Sequence, residues 1–234
     1  MEKILNKVNN CKIGSSIERS EDDTLIIGKG IYGDDKGNPP GTLHVAVLRS
    51  QYAAGKILNL DTTMASCIPG VHSIIDGKSF SNLSKPLLSV LRIDIEVWPC
   101  AIEYVRYVGE PIALVLAENR YIAEDAIDNI KVTYQEYNPI IKTEDATLDS
   151  SPKVHKKTKT NVVSDRKFSY GNPKEAFKKA DEIIKLKIEY PRNSCTPLEG
   201  FIVQSNYNSS EKSYTVHSNF QGPFSLHSVI SRSL

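Results

Sequence analysis

The chain has 234 residues, enough for one large domain or two ordinary ones. Hydrophobic residues make up 40% and charged residues 24%, a composition that can bury a core and is not that of a disordered chain. The formal net charge of +1 excludes a general nucleic-acid or membrane-surface binder, which needs an excess of Lys and Arg.

No apolar stretch reaches the roughly 18 residues of a membrane span, and the N-terminus lacks the apolar core of a signal peptide. We therefore expect a cytoplasmic protein. The four cysteines are Cys11, Cys67, Cys100 and Cys195, and no two form a CxxC pair. This spacing favours free thiols over a sequence-local zinc or iron–sulfur site.

Residues 1–23 are polar and weakly patterned, and we interpret them as an N-terminal arm. Gly28, Gly30 and Gly33 then have the spacing of a GxGxxG phosphate loop. That fingerprint must follow a strand and open a helix, whereas here it opens onto the turn residues 34–40. The sequence predicts a glycine-rich turn rather than a dinucleotide site.

A first strand–helix–strand unit comes next. Residues 43–48 are predicted as a separate strand before it. Within the unit, residues 57–60 form a strand, Asp61 caps a short helix over 62–67, and residues 71–75 form the second strand. The Ser- and Leu-rich stretch 79–89 reads as a surface excursion. Trp98 stands in a loop or edge, where a lone Trp is more often a core residue than a site.

The most strongly patterned stretch is 104–137. Residues 111–117 (PIALVLA) fit a strand buried on both faces. Asn119 is a good N-cap for a helix whose apolar face recurs at helical spacing, and 132–134 return to strand alternation. The helix face comprises Ala123, Ala126, Ile127 and Ile130. We predict a second βαβ unit with a right-handed crossover, and hence an internally duplicated layer.

Residues 142–161 change to a polar composition and end in the basic run 153–159. This stretch is the best candidate linker between two domains. The alternative is that the lysines form a phosphate-binding patch, but no aromatic residue is interleaved among them, so we favour a solvated linker.

The second segment begins at a marked helix start. Asn172 is placed to cap, Pro173 occupies the first helical position, and Glu175 can reach back to the cap amide. The helix should end near Ala180. Residues 184–190 then alternate apolar and charged, which predicts a strand with one wet face.

A hairpin is predicted from residues 200–207 and 214–218, followed by a helix from Pro223. The apolar face of this last helix is Leu226, Val229, Ile230 and Leu234. Because the rest of the sequence does not obviously supply a partner for it, we expect the chain to be the N-terminal piece of a longer protein.

The residues alone indicate no self-contained active site. The histidines are scattered, without a metal-ligand spacing. Glu199 is interpreted either as a buried carboxylate or as a residue that orients a strand end. Gln221 follows a strand at a helix N-terminus, where side-chain and backbone amides can converge on an anion or oxo group. The alternative for Gln221 is an ordinary polar residue of the first turn. The histidines are His44, His72, His155, His217 and His227.

Several stretches together resemble the large, molybdenum-binding subunit of the xanthine dehydrogenase, aldehyde oxidase and carbon monoxide dehydrogenase family. The most specific is 106–111 (RYVGEP) with 123–126 (AEDA). The others are 28–35 (GKGIYGDD), 41–44 (GTLH), 48–53 (LRSQYA), 60–62 (LDT), 69–71 (PGV), 196–199 (TPLE) and 219–221 (NFQ).

The resemblance implies an α+β fold in which an a/b hammerhead scaffold over 24–145 and a linker over 146–162 precede the incomplete start, over 163–234, of a molybdopterin-binding domain. It implies that Gln221 lies beside the molybdenum centre and that Phe220 packs. The implied chemistry is oxidative hydroxylation with oxygen from water. Partner subunits would carry the [2Fe-2S] clusters and FAD in a hetero-oligomer.

In that family the glycine-rich loop, the substrate-pocket arginines and the catalytic glutamate lie beyond the position of Leu234. The resemblance therefore implies no catalytic or metal-ligating residue within this span. It also implies that the chain needs its C-terminal complement for turnover. The alternative is a non-catalytic scaffold or assembly module. The substrate stays open among aldehydes, N-heterocycles and carbon monoxide.

Overall fold

The computed structural model describes residues 14, 16–87, 95–191 and 193–234. Its elements in chain order are α1 (Asp22–Leu25), a 3-10 turn (Gly33–Lys36), β1 (His44–Arg49), β2 (Gly55–Asp61), α2 (Thr63–Ser66), β3 (Val71–Asp76), α3 (Gly77–Leu83), β4 (Tyr104–Val105), β5 (Pro111–Ala117), α4 (Arg120–Asp128), β6 (Lys131–Glu136), α5 (Thr143–Ala146), α6 (Pro173–Lys179), β7 (Val203–Asn208), β8 (Ser213–Ser218) and α7 (Pro223–Ser233). None of the helices in these ranges is long and apolar enough to cross a membrane.

The described residues form two compact units. The larger unit is drawn from Pro39–Arg192 and Gly222–Leu234, and the smaller from Met1–Asn38 and Asn193–Gln221. The α+β class is as the sequence predicts. The domain and linker boundaries given above stay a prediction.

Two antiparallel three-stranded sheets build the larger unit. One has the order β1-β5-β3 and the other the order β4-β2-β6. In the first, His44 pairs with Ala117 and Val71 also pairs with Ala117, so β5 is the central strand. In the second, Gly55 of β2 pairs with both Val105 and Glu136.

The predicted strand–helix–strand order is present twice, but the crossover prediction is wrong. β2 and β3 lie in different sheets, as do β5 and β6, and every described strand pair is antiparallel. Each short helix therefore carries the chain from one sheet to the other instead of returning it to a parallel neighbour. The duplication persists in this form. Local periodicity predicts each element, whereas strand partners depend on distant residues.

The core of this unit lies on both faces of β5, as the apolar run predicts. Val115 and Ala117 are fully buried against Ala123 and Ala126 of α4. On the opposite face, Ile112 is fully buried in a second cluster with Ala101 and Val105. Both clusters also contact Leu48 and Leu60, which joins the two sheets into one packed scaffold.

Side-chain caps fix the helix starts. Asn119 accepts a hydrogen bond from Ile122 N at 3.0 Å and so caps α4, as predicted. Asp61 is the predicted N-cap of α2, but the N-cap is Thr62, one residue later; Asp61 accepts a hydrogen bond from Thr63 N at 3.0 Å from the position before it. Asn172 accepts from Glu175 N at 3.3 Å at the start of α6.

The stretch after β3 differs from the prediction. Residues 77–83 form the helix α3 instead of a surface excursion, because Asp76 caps it by accepting from Ser79 N at 2.8 Å. Gly77 is required there, since a Cβ at this position would lie 2.3 Å from Ala101 O. Residues 88 and 89 of the predicted excursion lie outside the described residues. Trp98 is half-buried in a loop, not a fully buried core residue.

The RYVGEP stretch is a structural loop that joins β4 to β5. Glu110 is 8% exposed, and its carboxylate accepts hydrogen bonds from the backbone N–H and the guanidinium of Arg106. Gly109 adopts φ +91°, and its N–H donates to Ser50 O at 2.7 Å. Arg49 Nη1 donates to Gly109 O at 2.9 Å. The motif thus ties the start of β5 to the end of β1.

The stretch 184–190 has no regular secondary structure and does not pair with another strand in the part of the chain that the structure describes. The strand predicted there is therefore not formed. The last helix meets the scaffold at its end, where Lys85 N donates to Ser233 O at 2.8 Å and Ser233 is buried, whereas Leu234 of its predicted apolar face is 64% exposed. Leu226, Val229 and Ile230 are half-buried.

Candidate functional site

The smaller unit is built on the predicted hairpin. β7 and β8 pair antiparallel from Val203 with Ser218 to Asn208 with Ser213. Beyond the last pair, the Asn219 side chain continues the ladder. Its Nδ2 donates to Gly200 O at 2.9 Å, and its Oδ1 accepts from Ile202 N at 3.2 Å.

This Asn219 clip has a direct consequence for the two stretches singled out by resemblance. It holds residue 200, which follows 196–199, against residue 219, which begins 219–221. The amide of Asn219 does here what a backbone pair does in a sheet, by supplying one donor and one acceptor. Residues that are about twenty positions apart in sequence thus meet at the open end of the hairpin.

Glu199 connects this end of the hairpin to the glycine-rich turn. Gly33 N–H donates to Glu199 Oε1 at 2.9 Å. A Cβ on Gly33 would lie 2.2 Å from Ile202 Cγ2, so only glycine permits this approach. Glu199 is half-buried, so it is not the fully buried carboxylate of the first interpretation, and its described partner is the backbone of the glycine-rich turn.

The same contact argues against a phosphate loop at this turn. A phosphate would need free backbone N–H groups at the start of a helix. Here Gly33 starts a single 3-10 turn, and its N–H is already bonded to a carboxylate that would repel an anion. The geometry agrees with the glycine-rich turn predicted from the sequence.

A second anchor comes from Gln204 on β7. Its Nε2 donates to Gly37 O at 3.1 Å and to Asn38 Oδ1 at 3.2 Å. Together, Glu199 and Gln204 fasten both ends of the 3-10 turn to the hairpin. Between them lies a shallow polar depression of about 320 Å³, lined by residues that include Lys36 and His217. Gln221 does not line this depression.

Gln221 itself is exposed. The residue before it is fixed from two sides, because Phe220 N donates to Ser218 Oγ at 3.2 Å and the Phe220 ring meets Phe201 edge-on at 6.3 Å. Phe220 therefore packs, as the resemblance implies. After Gln221, α7 begins with Gly222 as its N-cap and Pro223 as its first residue.

The start of α7 leaves backbone donors available. Glycine offers no side chain to cap the first turn, and the first intrahelical bond goes from Leu226 N to Gly222 O at 3.0 Å. The N–H groups of Phe224 and Ser225 precede it, and such N-terminal donors attract negative charge. Gln221 thus directly precedes a helix start of the kind that can receive an anion or oxo group.

A larger depression, about 1310 Å³, belongs to the larger unit and is lined by neither Glu199 nor Gln221. Among the basic residues that line it, Lys156 and Lys157 contact other side chains of the protein. Lys156 Nζ lies 5.8 Å from the ring centre of Tyr104 and 5.1 Å from that of Tyr137. Lys157 pairs with Glu96 at 3.3 Å. We therefore do not assign the chemistry to this depression despite its size.

The segment predicted as a solvated linker is held in place along this depression. Asn161 Nδ2 donates to Ala146 O at 3.2 Å and to Pro152 O at 2.9 Å, while its Oδ1 accepts from Val154 N. Burial, together with the positive charge of Arg106, lowers the pKa of His155. The basic run thus contacts the scaffold at His155, while Lys156, Lys157 and Lys159 stay exposed.

No group of three or more His, Cys, Asp or Glu side chains that could hold a metal ion occurs among the described residues. Cys67, Cys100 and Cys195 are free thiols, and Cys11 lies outside the described residues. Burial raises the pKa of the Cys100 thiol to about 11, which keeps it protonated at neutral pH.

The structure therefore brings Glu199, the glycine-rich turn and the residues before Gln221 into one unit. Sequence reasoning missed the Asn219 clip and the Gln204 anchor. Both act through long-range contacts between a side chain and the backbone, and such contacts leave no periodic signal. The position of Asn219, directly after the hairpin, was the only available hint.

The class of protein follows from comparison with known families. Two family models match consecutive parts of the chain. Residues 27–138 match the "Aldehyde oxidase and xanthine dehydrogenase, a/b hammerhead domain", and residues 154–234 match the "Molybdopterin cofactor-binding domain".

Relatives and solved structures agree. The chain is 31% identical over 195 residues to the 6-hydroxypseudooxynicotine dehydrogenase complex subunit gamma of Paenarthrobacter nicotinovorans, covering 80% of this chain and 24% of that one. It is 28% identical to the carbon monoxide dehydrogenase large chain of Hydrogenophaga pseudoflava, covering 90% and 28%. The crystal structure of quinoline 2-oxidoreductase from Pseudomonas putida 86 superposes with a TM-score of 0.78 at 29% identity, covering 89% and 27%.

The chain belongs to the aldehyde oxidase and xanthine dehydrogenase family of molybdenum-binding large subunits. It carries the hammerhead domain and part of the molybdopterin cofactor-binding domain. It spans about a quarter of the length of the curated relatives it matches.

Proposed function

We propose that this chain is the N-terminal part of the large subunit of a molybdenum hydroxylase, a cytoplasmic enzyme whose remaining large-subunit sequence completes the active site. The main support for this proposal is that the hammerhead domain model and the molybdopterin cofactor-binding domain model match consecutive parts of one chain. In this proposal the hammerhead unit is scaffold, and the hairpin end of the smaller unit faces the cofactor.

The residues at the hairpin end fit a bound anionic group. Gln221 offers an amide with two donors and an acceptor, and the first turn of α7 follows with donors that no side chain caps. When bound, the molybdenum–molybdopterin cofactor accepts two electrons while water supplies the oxygen for hydroxylation. A substrate C–H and one water thus give C–OH, two protons and two electrons.

The role proposed for this chain's residues is positioning. The Asn219 clip and the Phe201–Phe220 contact fix the backbone that leads to Gln221. Gln221 would then hold its amide toward the bound cofactor. The two electrons leave through partner subunits that carry [2Fe-2S] clusters and FAD. Names such as "complex subunit gamma" among the relatives support a hetero-oligomeric assembly.

The reaction class is tested on the assembly purified with the rest of the large subunit and its partner subunits. Aldehydes, N-heterocycles and carbon monoxide are offered in water enriched in oxygen-18. We expect one substrate class to be oxidised, with the heavy oxygen in the product. An assembly that oxidises none of the three, or that takes its oxygen from O₂, contradicts the proposal.

The site is tested by Gln221→Ala in the same assembly. We expect turnover to fall on the order of 100-fold, as for loss of one positioned polar group, with the fold and the subunit composition unchanged. Gln135→Ala is the matched control, because Gln135 is an exposed residue of β6 in the scaffold. Full activity of the Gln221 variant would return Gln221 to an ordinary residue of the first turn.

A further inference from the structure

The segment 183–190 has the alternating sequence of a strand, but no other strand in the described chain pairs with it. Its apolar side chains alternate with charged ones, and they point into solvent. The exposed fractions are 92% for Ile184, 79% for Leu186, 79% for Ile188 and 85% for Tyr190. The alternating residues are Lys185, Lys187 and Glu189.

Such exposure is costly for a face of this composition. Burying an Ile or Leu side chain contributes about 1.5–3 kcal/mol relative to leaving it exposed. Covering the four large apolar residues at these alternate positions would therefore stabilise the segment substantially. Ile and Tyr also favour strands, in which one face packs and the other stays wet. The charged face is already arranged for water, with Lys187 Nζ 2.6 Å from Glu189 Oε1 at the surface.

We propose that residues 183–190 are an edge strand, and that a strand from the remainder of the large subunit pairs with it and covers Ile184, Leu186, Ile188 and Tyr190. This inference rests on the proposed function, since it takes the partner to be the rest of the same subunit. The match to a cofactor-binding domain includes this segment, and the relatives have about three quarters of their length outside the matched part.

Charge disfavours a second copy of this chain in two of the central antiparallel registers, whereas a pair centred on Ile188 places Lys187 opposite Glu189 and is an outcome that the exchange test distinguishes. In an antiparallel self-pair centred on Leu186, Lys185 lies opposite Lys187 of the other copy. Centring the pair on Lys187 places Lys187 opposite itself. Like charges directly opposite one another destabilise a strand pair. A different strand avoids this clash and adds main-chain hydrogen bonds along the whole edge.

Backbone hydrogen exchange tests the pairing. The chain alone is compared with the purified assembly that contains the rest of the large subunit. We expect the amides of 183–190 to exchange rapidly in the chain alone and at least about 10-fold more slowly in the assembly. Equal exchange in the two samples overturns the proposal. Slow exchange in the chain alone also overturns it, because pairing within the chain or with a second copy would then explain the pattern.

Substitutions separate association from folding. Because Leu186 is exposed, Leu186→Lys should leave the unfolding midpoint of the chain alone unchanged while it weakens association with the rest of the subunit at least about 10-fold. Lys185→Ala, on the wet face, should weaken it less than about 2-fold. Equal association by the wild-type protein and the Leu186 variant overturns the proposal.

Metal analysis of the same assembly separates this proposal from the proposed function. Molybdenum in an assembly whose 183–190 amides stay unprotected overturns the strand pairing and leaves the function standing. Protected amides in an assembly without molybdenum support the strand pairing and count against the function.

Discussion

Two regions of the larger unit differ in how far their apolar side chains are buried. In the hammerhead scaffold, Ile112 and Val115 of β5 are fully buried. In the segment that follows α6, Ile184 is 92% exposed although it has the same strand-forming character as Ile112. The first region completes its core with its own residues, whereas the second has the pattern of a buried strand and nothing in the described chain to bury it. A cofactor-binding domain that is present in part has this appearance.

The difference in burial is tested most strongly by replacing an isoleucine with alanine in each of the two regions. Ile112→Ala should lower the free energy of unfolding by about 2–5 kcal/mol, because it leaves a cavity between the two sheets. Ile184→Ala should change the stability of the chain alone by less than about 0.5 kcal/mol. Urea unfolding followed by circular dichroism measures both. Similar losses for the two variants would mean that Ile184 is buried in solution.

The next largest effect concerns the RYVGEP loop. Glu110→Ala removes the acceptor for the backbone N–H and the guanidinium of Arg106, both partly buried. We expect a loss of about 1.5–3 kcal/mol, the range for hydrogen bonds to charged groups. Glu124→Ala breaks the pair with Arg120 at 2.7 Å, which has the same i, i+4 spacing but is exposed. That control should cost less than about 0.5 kcal/mol. Equal losses of stability for the two variants would contradict a structural role for the loop.

A smaller effect is expected in the smaller unit. Glu199→Ala should expose the Gly33 amide, because its acceptor is removed, and should cost about 1 kcal/mol. The readout is hydrogen exchange at Gly33, with Glu199→Gln expected to restore protection through its amide oxygen. Glu211→Ala, in the exposed hairpin turn, is the control. If the Gly33 amide stays protected without Glu199, the turn is held by other contacts.

The smallest effect is a pH dependence at His155. Burial, with Arg106 nearby, lowers its pKa below the ordinary value of 6.5. The unfolded chain therefore binds the proton more readily. The contribution of neutral His155 to stability is fully present above pH 6.5 and is lost as the pH falls toward and through the folded pKa. His155→Asn should flatten the stability curve in this window. A curve that keeps its slope in the variant would remove His155 as the cause.

Local signals in the sequence predicted much of the fold. Apolar runs and alternating stretches identified β1, β5, β6 and the hairpin, and the caps Asn119 and Asn172 marked helix starts correctly. The pairing of strands was not predictable in this way. The βαβ interpretation assumed that strands joined by a helix share a sheet, whereas here they lie in different sheets.

Elements with weak local signals were missed for a different reason. The stretch 77–83 is rich in Gly, Ser and Asn, which have low helix propensity, and its helix depends on the Asp76 cap and on the close approach of Gly77 to Ala101. At the candidate site, Gln221 was predicted from the resemblance to the family. The local sequence indicated only a helix N-terminus that can receive an anion or oxo group. The contacts that organise the site, through Asn219 and Gln204, are long-range and invisible to periodicity.

The most direct test of the central claim is the metal content of the assembled protein. The chain is purified together with the rest of the large subunit and its partner subunits, and molybdenum and pterin are measured in the same sample. We expect both molybdenum and pterin to be present in proportion to the large subunit. A complete, correctly folded assembly that contains neither molybdenum nor pterin would contradict the central claim.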